Sequence, residues 1–278
     1  MARLVGFVGN RPDLGARVLE LEARHLSVRK QPDRIPGWGV GFYQGGEILL
    51  KRRPIDDRPR INIAEMTHGL RADTLIAHVR LGTVGGSRTE NTHPFRYRQW
   101  LFAHTGTVEA FSTLRGRLSD SLPQFLQRDV RGETDSELLF HLFLSFLHDA
   151  GALERQDVPP EAARTALRSS IALVDGLSAE EGKGPSRMNL LVAAPDYVVA
   201  MHGSGRMFCR VFQGASDLER ILGDGGLGRM RLPDFASCRL SILASDFDDD
   251  TAPPGWTAVR DRAIVTLTRT DEPLIEPI

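Results

Sequence analysis

Apolar and polar positions along this chain fall into many short runs, and only a few stretches hold a helical period. Residues 4–8 are a short apolar run close to the start, which predicts a buried strand. Residues 14–28 carry Leu14, Val18, Leu21 and Leu26 at helical spacing. Residues 37–43 and 47–52 flank Gly45-Gly46, a hairpin signal. Residues 63–70 predict a short helix, and residues 74–81 and 99–105 predict strands. Thr134, Asp135, Ser136 and Glu137 spell a capping box, in which the Thr134 hydroxyl accepts from the Glu137 N–H and Glu137 reaches back. The helix it opens, through His148, is apolar almost all round and is expected to be deeply buried. A second helix is predicted from about Pro160 to Glu181. It has proline near its start, Ala163, Leu167, Ile171 and Val174 on one face, and Gly182 past its end. Residues 188–194, 197–203, 207–212, 239–244 and 263–268 predict five more strands. Polar stretches at 31–36, 52–60 and 246–255 read as surface loops.

Strands at both ends with helices largely between them do not alternate as βαβ units do. That excludes a doubly wound parallel sheet and predicts an α+β architecture of packed layers. No long linker and no repeat interrupts the pattern, so residues 1–278 are expected to form a single domain. A hydrophobic share of 41% and a charged share of 26% exclude wholesale disorder, collagen-like and coiled-coil readings. A formal net charge of -1 argues against nucleic acid as a partner. No apolar run is long enough to span a bilayer, so no membrane partner is expected. The first residues lack the long apolar region of a signal peptide, and the only cysteines are Cys209 and Cys238. The expected location is therefore a reducing cytoplasm.

Four segments place polar residues inside strand-like or glycine-rich surroundings: Ala77-His78-Val79-Arg80, Glu90-Asn91-Thr92-His93-Pro94, His104-Thr105-Gly106-Thr107 and Gly132-Glu133-Thr134-Asp135. Taken singly, each has a bland reading. Arg80 could clamp a carboxylate or be a surface arginine at a strand end. His78, His93 and His104 could be a three-histidine metal site, but their spacing is no metal-ligand motif and structural histidines are commoner. Thr105-Gly106-Thr107 could offer backbone N–H groups to an anion or be a tight turn. Asp135 is favoured in a first helical turn by the helix dipole alone.

In this order, running from MARLVGF through GWGVGFY, AHVRLGTVGG, ENTHPF, FAHTGTVEAF and GETDSELLFHLFL to SDFDDD, the segments resemble the class II glutamine amidotransferases, a family of N-terminal-nucleophile hydrolases. The subgroup most resembled is the small stand-alone bacterial kind that includes the γ-glutamyl amidase of ergothioneine synthesis. The resemblance implies a four-layer αββα sandwich of two antiparallel sheets. It also implies a chemistry: an N-terminal cysteine attacks a glutamine side-chain amide, its own α-amine is the base, and an asparagine and the next glycine hold the oxyanion. No cofactor and no metal are called for.

Carried over residue by residue, Arg80 matches the arginine that binds the substrate carboxylate, with Thr83 beside it. His93 matches the motif histidine, Gly106 the oxyanion glycine and Asp135 the aspartate that binds the ammonium. The catalytic half departs from the family. Position 2 is Ala2, whose methyl group cannot attack a carbonyl, and Thr105 stands where the asparagine is expected. Loss of one oxyanion donor costs on the order of a hundredfold in rate. Two departures rather than one favour a natural pseudoenzyme that keeps a glutamine or γ-glutamyl pocket and acts as a binding or regulatory module. The alternatives are an active amidohydrolase whose cysteine was replaced, and a structural subunit, in a homo-oligomer or with another protein, whose pocket is vestigial.

Overall fold

The computed structural model describes residues 2–31, 34, 36–81, 86–223, 236–247 and 251–278. In chain order the first elements are β1 (Arg3–Gly9), α1 (Gly15–Leu21), α2 (Ala23–Leu26), β2 (Val28–Arg29), β3 (Pro36–Gln44), β4 (Glu47–Arg53), β5 (Arg60–Ile61), α3 (Ile63–Thr67) and β6 (Thr74–Leu81). Then come β7 (Phe95–Tyr97), β8 (Trp100–Gly106), α4 (Phe111–Asp120), α5 (Gln124–Gln127), α6 (Asp135–Asp149) and α7 (Pro160–Glu180). The last are β9 (Met188–Ala194), β10 (Tyr197–His202), β11 (Met207–Gln213), α8 (Gly214–Leu222), β12 (Arg239–Ser245), β13 (Thr257–Ala258), β14 (Ala263–Thr268) and β15 (Leu274–Pro277).

The strands form a seven-stranded sheet in the order β13-β11-β12-β1-β6-β3-β4 and a six-stranded sheet in the order β15-β14-β10-β9-β8-β7. Neighbouring strands in both are antiparallel. Three separate apolar clusters show how the layers stack. Leu4, Val8, Ile76, Leu101, Ala103, Leu191 and Val198 meet between the sheets. Val5, Phe7, Ala77 and Val79 point the other way, onto α1, α3 and α8. Trp100, Phe102, Leu190 and Val192 point outward onto α4 to α7. The period of two along β1, β6, β8 and β9 therefore places a core on each face of each sheet, and the result is the four-layer αββα sandwich.

Local chemistry explains where the elements depart from the sequence pattern. The helix predicted over residues 14–28 breaks at Glu22 into α1 and α2, and Val28 joins β2. Glu22 is buried there and binds the Arg210 guanidinium at 2.7 Å and the Trp256 indole at 2.9 Å. The helix predicted to reach residue 70 stops at Thr67, before Gly69 at φ +73°. At α6 the Thr134 hydroxyl accepts from the Glu137 N–H as expected, at 3.2 Å. Glu137, however, does not reach back to Thr134. Its carboxylate takes the N–H groups of Arg131 (2.8 Å) and Gly132 (2.5 Å), which fixes the loop ahead of the helix.

The stretch 246–255 was expected to be a surface loop. Its first two residues lie inside instead: Phe247 packs edge-on against Phe208 and Trp256, and Asp246 faces a cavity. Both cysteines are buried and form no disulfide with each other, and burial pushes the Cys209 thiol up to about 11, so it is an inert packing residue at neutral pH. Among the described residues no helix is long and apolar enough to cross a membrane.

Candidate functional site

At one end of the sandwich the sheets splay around a cavity of about 350 Å³. Ala2, His78, Arg80, His93, His104, Thr105, Gly106, Asp135 and Asp246 all line it. Six of the seven residues expected from the sequence are thus brought together, and Thr83 lies outside the described residues.

The strand register explains the convergence. β1 lies between β6 and β12, with Arg3 opposite Val79 and Val5 opposite Ala244. Ala2 is one step beyond, so it sits beside Arg80 on one side and the Ser245–Asp246 corner on the other. Along β6, Leu75, Ala77 and Val79 face the helices, so His78 and Arg80 face the opposite sheet. Gly39 of β3 is what lets the His93 segment close over them, because a Cβ there would overlap the His93 carbonyl oxygen. His78 and His93 meet edge to face with ring centroids 4.4 Å apart. Gly106 ends β8 at φ +109°, where a Cβ would overlap the Arg187 carbonyl oxygen, so no other residue fits without strain.

Asp135 is the first residue of α6. Its carboxylate accepts from the Val108 N–H at 3.0 Å and the Ser136 N–H at 2.8 Å. Its charge opposes the burial that lowers the pKa of Arg80. His104 shares a 2.8 Å hydrogen bond with the Ser136 hydroxyl. Burial holds His78 at about 3 and drives His93 and His104 below the usual imidazole range, so all three rings are neutral at pH 7. They do not compose a metal centre: among the described residues no group of three or more His, Cys, Asp or Glu side chains could hold an ion.

The other flank carries a carboxylate from the stretch whose polar composition predicts a surface loop. Asp246 directly follows β12 at φ +56°. Its Oδ2 accepts the Thr105 hydroxyl at 3.1 Å and the Ser245 hydroxyl. Burial raises its pKa despite contacts from Ser245, Thr105, Arg3 and Asn189. A hydroxyl has one proton, so a Thr105 that donates to Asp246 presents only lone pairs to the cavity. The signal available in the sequence was the SDFDDD motif of the family resemblance, in which Asp246 directly follows the last residue of a buried strand.

Residues 1–212 match the family model of the class-II glutamine amidotransferases, and this chain belongs to that family. The chain is 28% identical over 187 residues to a probable glutamine amidotransferase, DUG3, of Saccharomyces cerevisiae, covering 62% of this chain and 52% of the relative. It is 28% identical over 130 residues to the gamma-glutamyl-hercynylcysteine sulfoxide hydrolase of Mycobacterium tuberculosis, covering 44% of this chain and 56% of the relative. The match thus spans about half the length of these two relatives. Among solved structures, a glutamine aminotransferase class-II domain protein from Silicibacter pomeroyi superposes with a TM-score of 0.58 at 17% identity, over 99% of this chain and 98% of that one. At that identity the likeness speaks for the fold.

Proposed function

We propose that this protein binds glutamine or a γ-glutamyl compound without hydrolysing it, and serves as a binding or regulatory module of the amidotransferase fold. The observation that carries the reading is the split within one cavity. Arg80, His93 and Asp135 supply charge and hydrogen bonds for an amino acid, whereas Ala2 offers a methyl group where the family places its nucleophile. Thr105, in the place of the oxyanion asparagine, spends its proton on Asp246. Gly106 stands where the resemblance puts the oxyanion glycine, but one donor without a nucleophile has no transition state to stabilise. We read the whole chain as one domain. In support, β12 and β14 lie beyond the family-matched stretch yet occupy inner positions of the two sheets.

The purified protein is expected to release ammonia from glutamine no faster than the buffer does. Ala2→Cys alone should restore little, and Ala2→Cys with Thr105→Asn more than the product of the single effects, because nucleophile and oxyanion donor act on one transition state. N-terminal processing is to be checked by mass spectrometry, since the α-amine must be free. Turnover by the unaltered protein that survives purification and disappears in Arg80→Ala would refute the reading.

A further inference from the structure

We infer that the cavity selects an α-amino acid whose side chain ends in a hydrogen-bond donor, an ammonium ahead of an amide, and that Asp246 is the residue that reads this end. The inference rests on the reading that Arg80 and Asp135 hold the amino-acid backbone, and it adds what the far wall prefers.

The cavity has two polar flanks. Arg80 is the next-to-last residue of β6 and feels the charge of Asp135. Asp246 follows β12, which lies on the opposite side of β1 from β6. Two strand spacings separate those ends, about 10 Å. A ligand held by its α-carboxylate at Arg80 and its α-ammonium at Asp135 therefore extends its side chain past Ala2 toward Asp246. The methyl group of Ala2 makes room there and offers no polar contact.

The two side chains that meet the ligand at that wall, Thr105 and Asp246, present acceptors. Asp246 receives the hydroxyls of Thr105 and Ser245 and a contact from Asn189. An ionised carboxylate has about four acceptor sites, so a fourth donor can still be taken. Among the described residues, the charged group that touches it is Arg3, whose guanidinium stacks on Phe247 and binds the Asp246 backbone carbonyl at 3.2 Å; Arg34 also lines the cavity, and His104 there is neutral. Together these do not offset the cost of burial, since the Asp246 pKa still lies above the ordinary carboxylate value. A cation in the cavity would complete the compensation. A ligand carboxylate would meet Asp246 and the lone pairs of Thr105, and is repelled.

The test is calorimetric titration of the intact chain with ornithine, glutamine, glutamate and norleucine. Ornithine is expected to bind at least tenfold more tightly than glutamine, and glutamate more weakly than norleucine. Asp246→Asn should cut the preference for ornithine over glutamine by ten- to a hundredfold. Arg80→Ala should weaken every ligand. Equal binding of ornithine and glutamine by the unaltered protein, or tighter binding of glutamate than of norleucine, overturns the inference even if the variant fails to fold. Failure of all four ligands to bind, or an Arg80→Ala variant that binds as before, overturns the underlying assignment of Arg80 and Asp135 instead, and the inference with it.

Discussion

Arg80 and Asp135 on one flank of the cavity differ from Ala2 and Thr105 on the other in how many tasks the fold gives them. Asp135 begins α6 and accepts two buried backbone N–H groups, from Val108 and Ser136. Removing its carboxylate would orphan both donors and loosen the start of a helix that fills the outer core. Ala2 sits at the edge of β1 and Thr105 adds one side-chain hydrogen bond. The side chains that would perform chemistry could therefore be exchanged at small cost to stability, whereas Asp135, which would hold a ligand, is also structural. Chemistry is the cheaper half of such a site to lose.

The largest effect that could break this contrast is acid. His78, His93 and His104 lie buried between the flanks with lowered pKa values, His78 at about 3. Below about 6.5 the unfolded chain takes up protons that the folded chain refuses, so stability present above that pH is lost as pH falls toward the folded values. A histidine contributes a slope of at most about 1.4 kcal/mol per pH unit, reached only between its folded and unfolded pKa values. Asp246, whose pKa is raised, works in the opposite direction below its folded pKa and offsets part of the loss. Urea unfolding at pH 7, 6 and 5 should show falling midpoints, and His78→Gln should flatten the slope by about one proton. Midpoints that do not move between pH 7 and 5 would mean that the rings are hydrated and both flanks loosely held.

Gly106 is the next point of attack, because it belongs to the chemical flank yet is held as tightly as Asp135. Gly106→Ala places a Cβ against the Arg187 carbonyl and 2.7 Å from the Met188 Cα, at φ +109°. Strain of this kind costs about 1–3 kcal/mol, and the overlap adds to it. Gly116→Ala, in α4 with open space around it, should instead stabilise by about 0.5–1 kcal/mol. Thermal denaturation of the two variants should shift in opposite directions. A neutral Gly106→Ala would show that the turn can relax, and the site geometry with it.

Much of this was legible in the sequence where a signal was local. The Thr134 half of the predicted capping box, the Gly45-Gly46 hairpin and the apolar runs of β1, β9 and β10 carry their own instructions. So did the ordered motifs that bring Arg80, His93, Thr105, Gly106 and Asp135 to one cavity. Pairing between distant strands was not legible. Asp246 is a site residue only because β12 pairs with β1, and the SDFDDD motif around it does not name that partner. Its polar neighbours pointed to a loop, and burial came from a partner more than 200 residues away. The break at Glu22 was hidden for the same reason, since the charge it answers to is on β11. The weakly amphipathic α4 and the short edge strand β13 lack a period long enough to stand out.

The smallest effect separates the two flanks most cleanly. Thr105→Val keeps the shape of the side chain and removes only the hydroxyl that Asp246 accepts. The expected cost is about 1 kcal/mol, the net worth of one such bond. Asp135→Ala leaves two buried backbone donors unpaired and should cost at least twice that. The pH dependence distinguishes the Thr105 effect from simple loss of packing. The Thr105 bond favours the charged form of Asp246, so its removal raises the Asp246 pKa further above the ordinary value. The penalty is then fully felt where the carboxylate is ionised, and it shrinks as pH falls through the folded pKa of Asp246. The difference in stability between Thr105→Val and the unaltered protein, measured by denaturant melts, should therefore be larger at pH 8 than at pH 5. A gap that stays constant across that range would mean that Thr105 does not serve Asp246, and its hydroxyl would be available to a ligand after all.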